Sequence, residues 1–257
     1  MTHIINDQDK KMNPQKSSTV EWPISFRVIG IGEETNDIIN QVNSLGYPGV
    51  KAIQYTNQEV IPEDEDQMVI LLNPSNKKIH SLSKSFYQAG VLTLIISTKN
   101  IDNQRGCYDS YTLIGEDKSV TTIKSIFDPI FHNGPISFDF NDISSTLKDS
   151  CKFTIKTYQC NTSRYRTDGI SKKLKKDLVN LEKIENLTFI ISYNPSSNLP
   201  LTVDKLNPLQ TFFTSLPENI NIIWGVQFDD SLDSNELKLS VIASGKDLNL
   251  ISNIDWR

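Results

Sequence analysis

The run Phe26-Arg27-Val28-Ile29-Gly30-Ile31-Gly32 constrains this chain more than any other stretch. An apolar segment ends there in two glycines one residue apart, and a polar turn, Glu33-Glu34-Thr35-Asn36, follows. Ile38, Ile39, Val42 and Leu45 then recur at helical spacing. A strand, a tight turn and a helix in that order form the layout with which α/β nucleotide-binding folds turn backbone N–H groups toward phosphate. The third glycine of the dinucleotide fingerprint is missing, so Gly30-x-Gly32 is a weak match to that motif.

The segments after it extend the same pattern. Gly46 and Pro48 stop the helix, and Val50 to Tyr55 reads as a second strand. Pro62-Glu63-Asp64-Glu65-Asp66 reads as a solvated acidic loop. Gln67 to Leu72 is a near-continuous apolar run, as in a parallel strand covered on both faces. Ile79, Leu82, Phe86 and Ala89 mark a helix face, Gly90 ends it, and Val91 to Ser97 is again a strand. Residues 100 to 117 carry little signal, and Ser119 to Phe131 reads as a helix despite Pro129.

A loop is expected after Asn133-Gly134-Pro135, and the composition shifts between Ser137 and Ser150. Phe153, Ile155 and Thr157 alternate as in a half-buried strand. Ile170, Leu174, Leu178, Leu181 and Ile184 fall on one helical stripe, and Leu187 to Ser192 is a strand. Val203 to Leu216 reads as a helix whose start Pro208 moves later. Ile220 to Phe228 and Leu237 to Ser244 read as a strand pair joined by a polar loop, in a mixed sheet with helices on one side.

At 257 residues and 37% hydrophobic content the chain can bury a substantial core. Its net charge of -5 gives no general attraction to nucleic acid or anionic lipid. No apolar run approaches the roughly 20 residues that cross a bilayer. The polar first residues lack the apolar middle of a secretory signal, so the expected location is the cytoplasm. Cys107, Cys151 and Cys160, with His3, His80 and His132, show no metal-ligand spacing and no Cys/His arrangement. Lys172-Lys173-Leu174-Lys175-Lys176 straddles the apolar stripe and reads as a solvated helix face.

In the order of these segments the chain resembles the FtsZ/tubulin family, from about Ile24 to Gly245. Phe26 to Asp37 is similar to the family's first strand and phosphate loop, keeping Gly30, Gly32 and Asn36. Gly49 to Asn57 and Gly90 to Thr98 resemble further strands of its nucleotide layer. Gly134 to Ile143 resembles the loop after its central helix, and Ile222 to Gly225 with Ser240 to Gly245 its last two strands. The resemblance implies an α/β fold with a parallel Rossmann-like N-terminal layer, a central helix and an α+β C-terminal domain with a mixed sheet. The corresponding division is a disordered polar tail over 1–22, a nucleotide-binding-type domain over 23–117, the central helix over 118–133 and the C-terminal domain over 134–250.

The family cradles guanine nucleotide with a glycine-rich signature loop, since only residues without Cβ let several N–H groups converge on an anion. Here the corresponding segment is Asn73-Pro74-Ser75-Asn76-Lys77-Lys78-Ile79-His80, without glycine. Glu33 and Glu34 stand where the first loop has glycines, and two carboxylates at a helix N-terminus repel phosphate. Family members complete hydrolysis with acidic residues that one subunit offers to the next, and the pattern Ser137-Phe138-Asp139-Phe140-Asn141-Asp142 keeps both acids. Asp139 and Asp142 are thus candidate catalytic residues acting in trans; as ordinary structure, Asp142 would cap a helix starting at Ile143 and Asp139 would be exposed. The expectation is a non-catalytic FtsZ-like protein without cofactor, which contacts an FtsZ-type protein or itself and caps or modulates filaments. The alternative is a divergent GTP-binding GTPase that polymerises, holding nucleotide at Gly30, Gly32 and Asn36.

Overall fold

The computed structural model describes residues 25–56, 59–102, 106–161, 167–177, 183–196 and 202–248. The polar tail read over residues 1–22 lies outside them. The first apolar run becomes β1 (Phe26–Gly30), buried along its whole length, and α1 (Asn36–Ser44) follows a single 3-10 turn. The left-handed Gly46, at φ 68°, ends that helix. Strand β2 (Val50–Gln54) is the sheet's edge, where the Asn43 amide clamps α1 to it by bonding both the N–H and the carbonyl of Ala52. The near-continuous apolar runs become β3 (Met68–Leu72) and β4 (Leu92–Ser97), fully buried parallel strands covered on both faces.

Between them runs one helical segment, α2 (Asn76–Lys78) and α3 (Lys84–Gln88), whose middle, Ile79–Ser83, is wound as a π-helix. Residues 100 to 117 conceal β5 (Ser110–Leu113), too short and too polar to stand out in sequence. Helix α4 (Ser119–Phe131) matches its reading, with Pro129 in its last turn. The chain then runs antiparallel along an edge before entering α5 (Phe140–Leu147), β6 (Cys151–Asn161), α6 (Thr167–Asp177), β7 (Asn186–Tyr193), α7 (Val203–Phe213), β8 (Asn221–Phe228) and β9 (Glu236–Ser244).

The nine strands among the described residues join in one sheet of order β2-β1-β3-β4-β5-β6-β9-β7-β8. The expected pairing of the last two strands is therefore overturned: β9 inserts antiparallel between β6 and β7, and β8 lies parallel to β7 on the outside. Helices on one side only is also wrong for this half. Ile190 and Ile242 face α4 and α5, whereas Phe189, Ile191, Leu239 and Val241 face α6 and α7, so β7 is buried on both sides. Pro208 lies inside α7 rather than near its start. Ile184 is buried but precedes β7 outside α6, and Leu178 and Leu181 fall outside the described residues.

One apolar cluster spans both halves, joining Val28, Met68, Ile70 and Leu94 to Phe127, Ile143, Phe153, Ile190 and Ile242. The seam itself is narrow, with two registered β5–β6 pairs. Asp109 reinforces it by accepting the N–H of Thr93 (2.7 Å) and of Asp149 (3.2 Å). Burial pushes its carboxyl up against the lowering effect of those two bonds.

Candidate functional site

Gly30, Gly32 and Asn36 meet where β1 passes into α1, at the carboxyl ends of the parallel strands, the usual place for a ligand in such a sheet. Gly32 has φ 94°, so only glycine adopts this turn without strain. A Cβ on Gly30 would lie 2.5 Å from Thr35 Oγ1 and 2.8 Å from Gln54 Oε1. Gly32 is thus fixed by its backbone conformation and Gly30 by the side chains packed against it.

The turn is occupied by its own groups. The Gly32 carbonyl accepts the Thr35 hydroxyl at 2.8 Å, the Gln54 amide at 2.8 Å and the Thr35 N–H at 3.1 Å. The Asn36 N–H goes to the Glu33 carbonyl, so two amides at the head of α1 are engaged inside the 3-10 turn. The Glu34 carboxylate folds over Gly32, where a Cβ would lie 2.3 Å from its Oε2. The Asn36 residue is exposed.

The segment after β3 is fastened in a comparable way. Asn73, at φ 49°, donates its N–H to Ile96 and accepts the Thr98 N–H on Oδ1 at 2.8 Å. Ser75 caps the following helix through the Lys78 N–H. The Lys78 ammonium reaches the Tyr55 hydroxyl at 2.7 Å and lies 4.1 Å from that ring's centroid. Lys77 is exposed.

Asp139 and Asp142 form a reciprocal capping box at the start of α5. Asp139 Oδ1 accepts the N–H groups of Asn141 (2.7 Å) and Asp142 (3.2 Å), and Asp142 Oδ2 accepts the Asp139 N–H at 2.9 Å. The helix thus starts at Phe140 with Asp139 as its cap, and not at Ile143 with Asp142. Asp139 is exposed and Asp142 half-buried.

The two candidate groups are kept apart. Phe140, beside Asp139, packs on Phe26 at the opening of β1, at a centroid distance of 5.6 Å, whereas Gly30 closes that strand. Four residue steps of about 3.3 Å each separate the two ends of β1. Within one chain, then, the acids and the glycine turn occupy opposite ends of the parallel layer.

Three arrangements escape a sequence reading. Asp66 is not solvated: its side chain is fully buried and accepts Arg27 Nε at 2.6 Å, while its other oxygen accepts the Glu63 N–H at 2.8 Å. Burial opposes the charge on Arg27, but its bonds to Glu63 and Asp66 outweigh that and raise its pKa. The π-helical segment brings His80 Nδ1 to 3.9 Å from the buried Cys107 Sγ, a Cys/His proximity that no sequence spacing announces.

Third, a cavity of about 410 Å³ opens between α4, β6 and α6, lined by Thr121, Ser125, Thr157, Lys156 and Asp177 among others. A smaller chamber of about 80 Å³ shares Thr121, Ser125 and Thr157 with it. Gln227, buried in that chamber's wall, has an Oε1 without a hydrogen-bond partner among the described residues. Burial lowers the Lys156 pKa against the pull of Asp177, and burial with the bond to Asp177 raises that of Tyr158. The available signal was the polar stripe of Thr121, Ser125 and Asp128, at positions i, i+4 and i+7 of α4. No three His, Cys, Asp or Glu side chains converge on a metal-sized site among the described residues. No helix among them is long and apolar enough to cross a membrane.

No protein-family model and no curated protein sequence matches the chain. Solved structures do. An empty FtsZ dimer from M. jannaschii is 13% identical, with 91% of this chain and 95% of that one aligned and a TM-score of 0.64. A point variant of the M. jannaschii FtsZ gives 14%, 87%, 91% and 0.65. TubZ from Bacillus thuringiensis serovar israelensis, in GDP-form protofilaments, gives 9%, 86%, 84% and 0.60. The fold is therefore that of FtsZ and TubZ over most of the chain.

Proposed function

We propose that the chain is a tubulin-like cytoskeletal protein that acts through protein contacts at one end of an FtsZ-type filament, without hydrolysing a nucleotide of its own. The observation that carries this reading is the closed turn after β1. Its carbonyl and two of its amides are bonded internally, and the Glu34 carboxylate stands where an anion would approach. The segment after β3 contributes no glycine and is tied down at Asn73 and Ser75. At the other end, Asp139 and Asp142 present carboxylates on a rigid helix start, as a group serving a neighbouring subunit requires. Such a subunit joins a head-to-tail polymer by one face and offers a poor partner on the other.

The neighbours in FtsZ dimer and TubZ protofilament form support self-association or an FtsZ-type partner as the class of contact. Mixing the protein with a polymerising FtsZ tests the reading. Shorter filaments at substoichiometric amounts are expected; unchanged polymer mass, length and GTP turnover at equimolar ratio would discard it.

The alternative, a divergent GTPase, draws on the exposed Gly32 at φ 94° and on α1 directly behind it. Labelled GTP decides between the two. Micromolar binding lost in Gly32→Val would favour the enzyme, and no saturable binding at millimolar nucleotide favours the filament-end protein.

A further inference from the structure

The clusters of Ile29 and Val69, of Ile95 and Tyr111, and of Phe189 and Val241 all lie on the side of the sheet opposite α4 and α5. Two oppositely charged features stand on that side. Helix α6 seats Leu174 in the core and leaves Lys172, Lys173, Lys175 and Lys176 exposed. None of the four forms an ion pair among the described residues. At the far half of the same side, Arg27 holds the turn before β3, with its charged side chain packed near the Phe86 ring.

That turn is a built feature. Buried Asp66 is fixed by Arg27 and bonds the Glu63 N–H, while the Asp66 N–H returns to the Glu63 carbonyl. The tip thus presents Glu63, Asp64 and Glu65 to solvent from a rigid base, with Glu63 partly neutralised by Arg27.

We propose that this side of the molecule pairs with the same side of a second copy, about a two-fold axis that sets the α6 lysines of each chain against the Glu63-to-Glu65 turn of the other. A two-fold operation brings both unlike pairs together at once, as an isologous contact requires. The acidic turn decides against the other obvious occupant. A flat anionic lipid surface that drew in the lysines would be repelled by carboxylates on the same side. Lysine ammonium groups on flexible stems suit such diffuse charge matching better than bidentate recognition of phosphate. The acidic turn opens β3 at the same end of the parallel layer as Asp139 but on the side of the sheet away from α5, so Asp139 variants and charge-reversal variants of the turn and the lysines probe the two contacts separately.

Sedimentation equilibrium of the full chain tests the proposal. Association is expected at about 0.01 M salt and its loss at about 1 M, since the screening length falls from about 30 Å to about 3 Å between them. The variants Lys172→Glu/Lys173→Glu/Lys176→Glu and Asp64→Lys/Glu65→Lys should each weaken self-association by about ten-fold or more. An equimolar mixture of the two should recover it, because every reversed pair is then unlike again. These side chains are exposed, and unchanged thermal unfolding of each variant checks that folding is intact. Salt-independent association, or no recovery in the mixture, would overturn the pairing. So would a lysine variant that self-associates like the parent but loses binding to phosphatidylserine vesicles.

Discussion

Asp139 caps α5, and substitution can separate that role from the one proposed for its charge. As the cap of α5 it accepts two N–H groups, which Asn does nearly as well and Ala not at all. Asp139→Ala should therefore cost about 1 kcal/mol in urea unfolding, while Asp139→Asn stays near the parent. If its charge serves a neighbour's nucleotide, both variants should lower the GTP turnover of a mixed FtsZ polymer, and the Asn variant should do so without losing stability. A second residue-scale prediction concerns Asp229. Burial opposes its charge, but the Lys238 ammonium and the Ser231 hydroxyl and N–H outweigh burial and hold the carboxyl below its ordinary value. A depressed carboxyl adds stability that is complete above the unfolded value of about 3.9 and is lost as pH falls through the folded one. Lys238→Met should thus melt lower than the parent at neutral pH, with the gap closing below about pH 4.

At the scale of elements, the passage from α4 to α5 depends on Gly134. A Cβ there would lie 1.9 Å from the Val226 carbonyl oxygen and 2.5 Å from Gln227 Cα, both backbone atoms that side-chain motion cannot relieve. Gly134→Ala should cost about 2 kcal/mol by denaturant titration and loosen the bridge between Ile136 and Val226. That close approach is invisible in sequence, where Gly134 reads simply as a helix stop. The buried parallel strands were legible because Val69-Ile70-Leu71-Leu72 and Leu94-Ile95-Ile96 are apolar without alternation, as burial on both faces demands. Neighbouring strands are a different matter. The stretch from Ile220 to Ser244 shows two strands and a loop, but local pattern does not exclude that β9 pairs with β6 and β7 instead of β8. The glycine turn and the two acids were legible as positions. The bonds within the turn and the capping box are local, whereas the Gln54 bond to Gly32, the Arg27 anchor under Asp66 and the chamber beside Gln227 join chain segments far apart in sequence.

For the whole molecule, the decisive feature is the apolar cluster shared by both halves. Leu94 in β4 and Ile190 in β7 belong to it together with Phe127 of α4, while only two registered pairs link β5 to β6. Packing through α4 and α5, more than the ladder at the seam, joins the halves. Amides in β4 and in β7 should therefore exchange hydrogen at the same opening free energy, within about 1 kcal/mol, and with the same dependence on denaturant. A clear gap between them would mean two units that open separately. The placement of glycine turn and acids at opposite ends of β1 also bears on dosage. An inhibitor that withholds bulk subunits must be as abundant as the pool it depletes, whereas one that seats itself on a terminus needs only as many molecules as there are tips. For the filament-end reading, a scarce protein would suffice to regulate many filaments, and its influence would grow as polymers fragment.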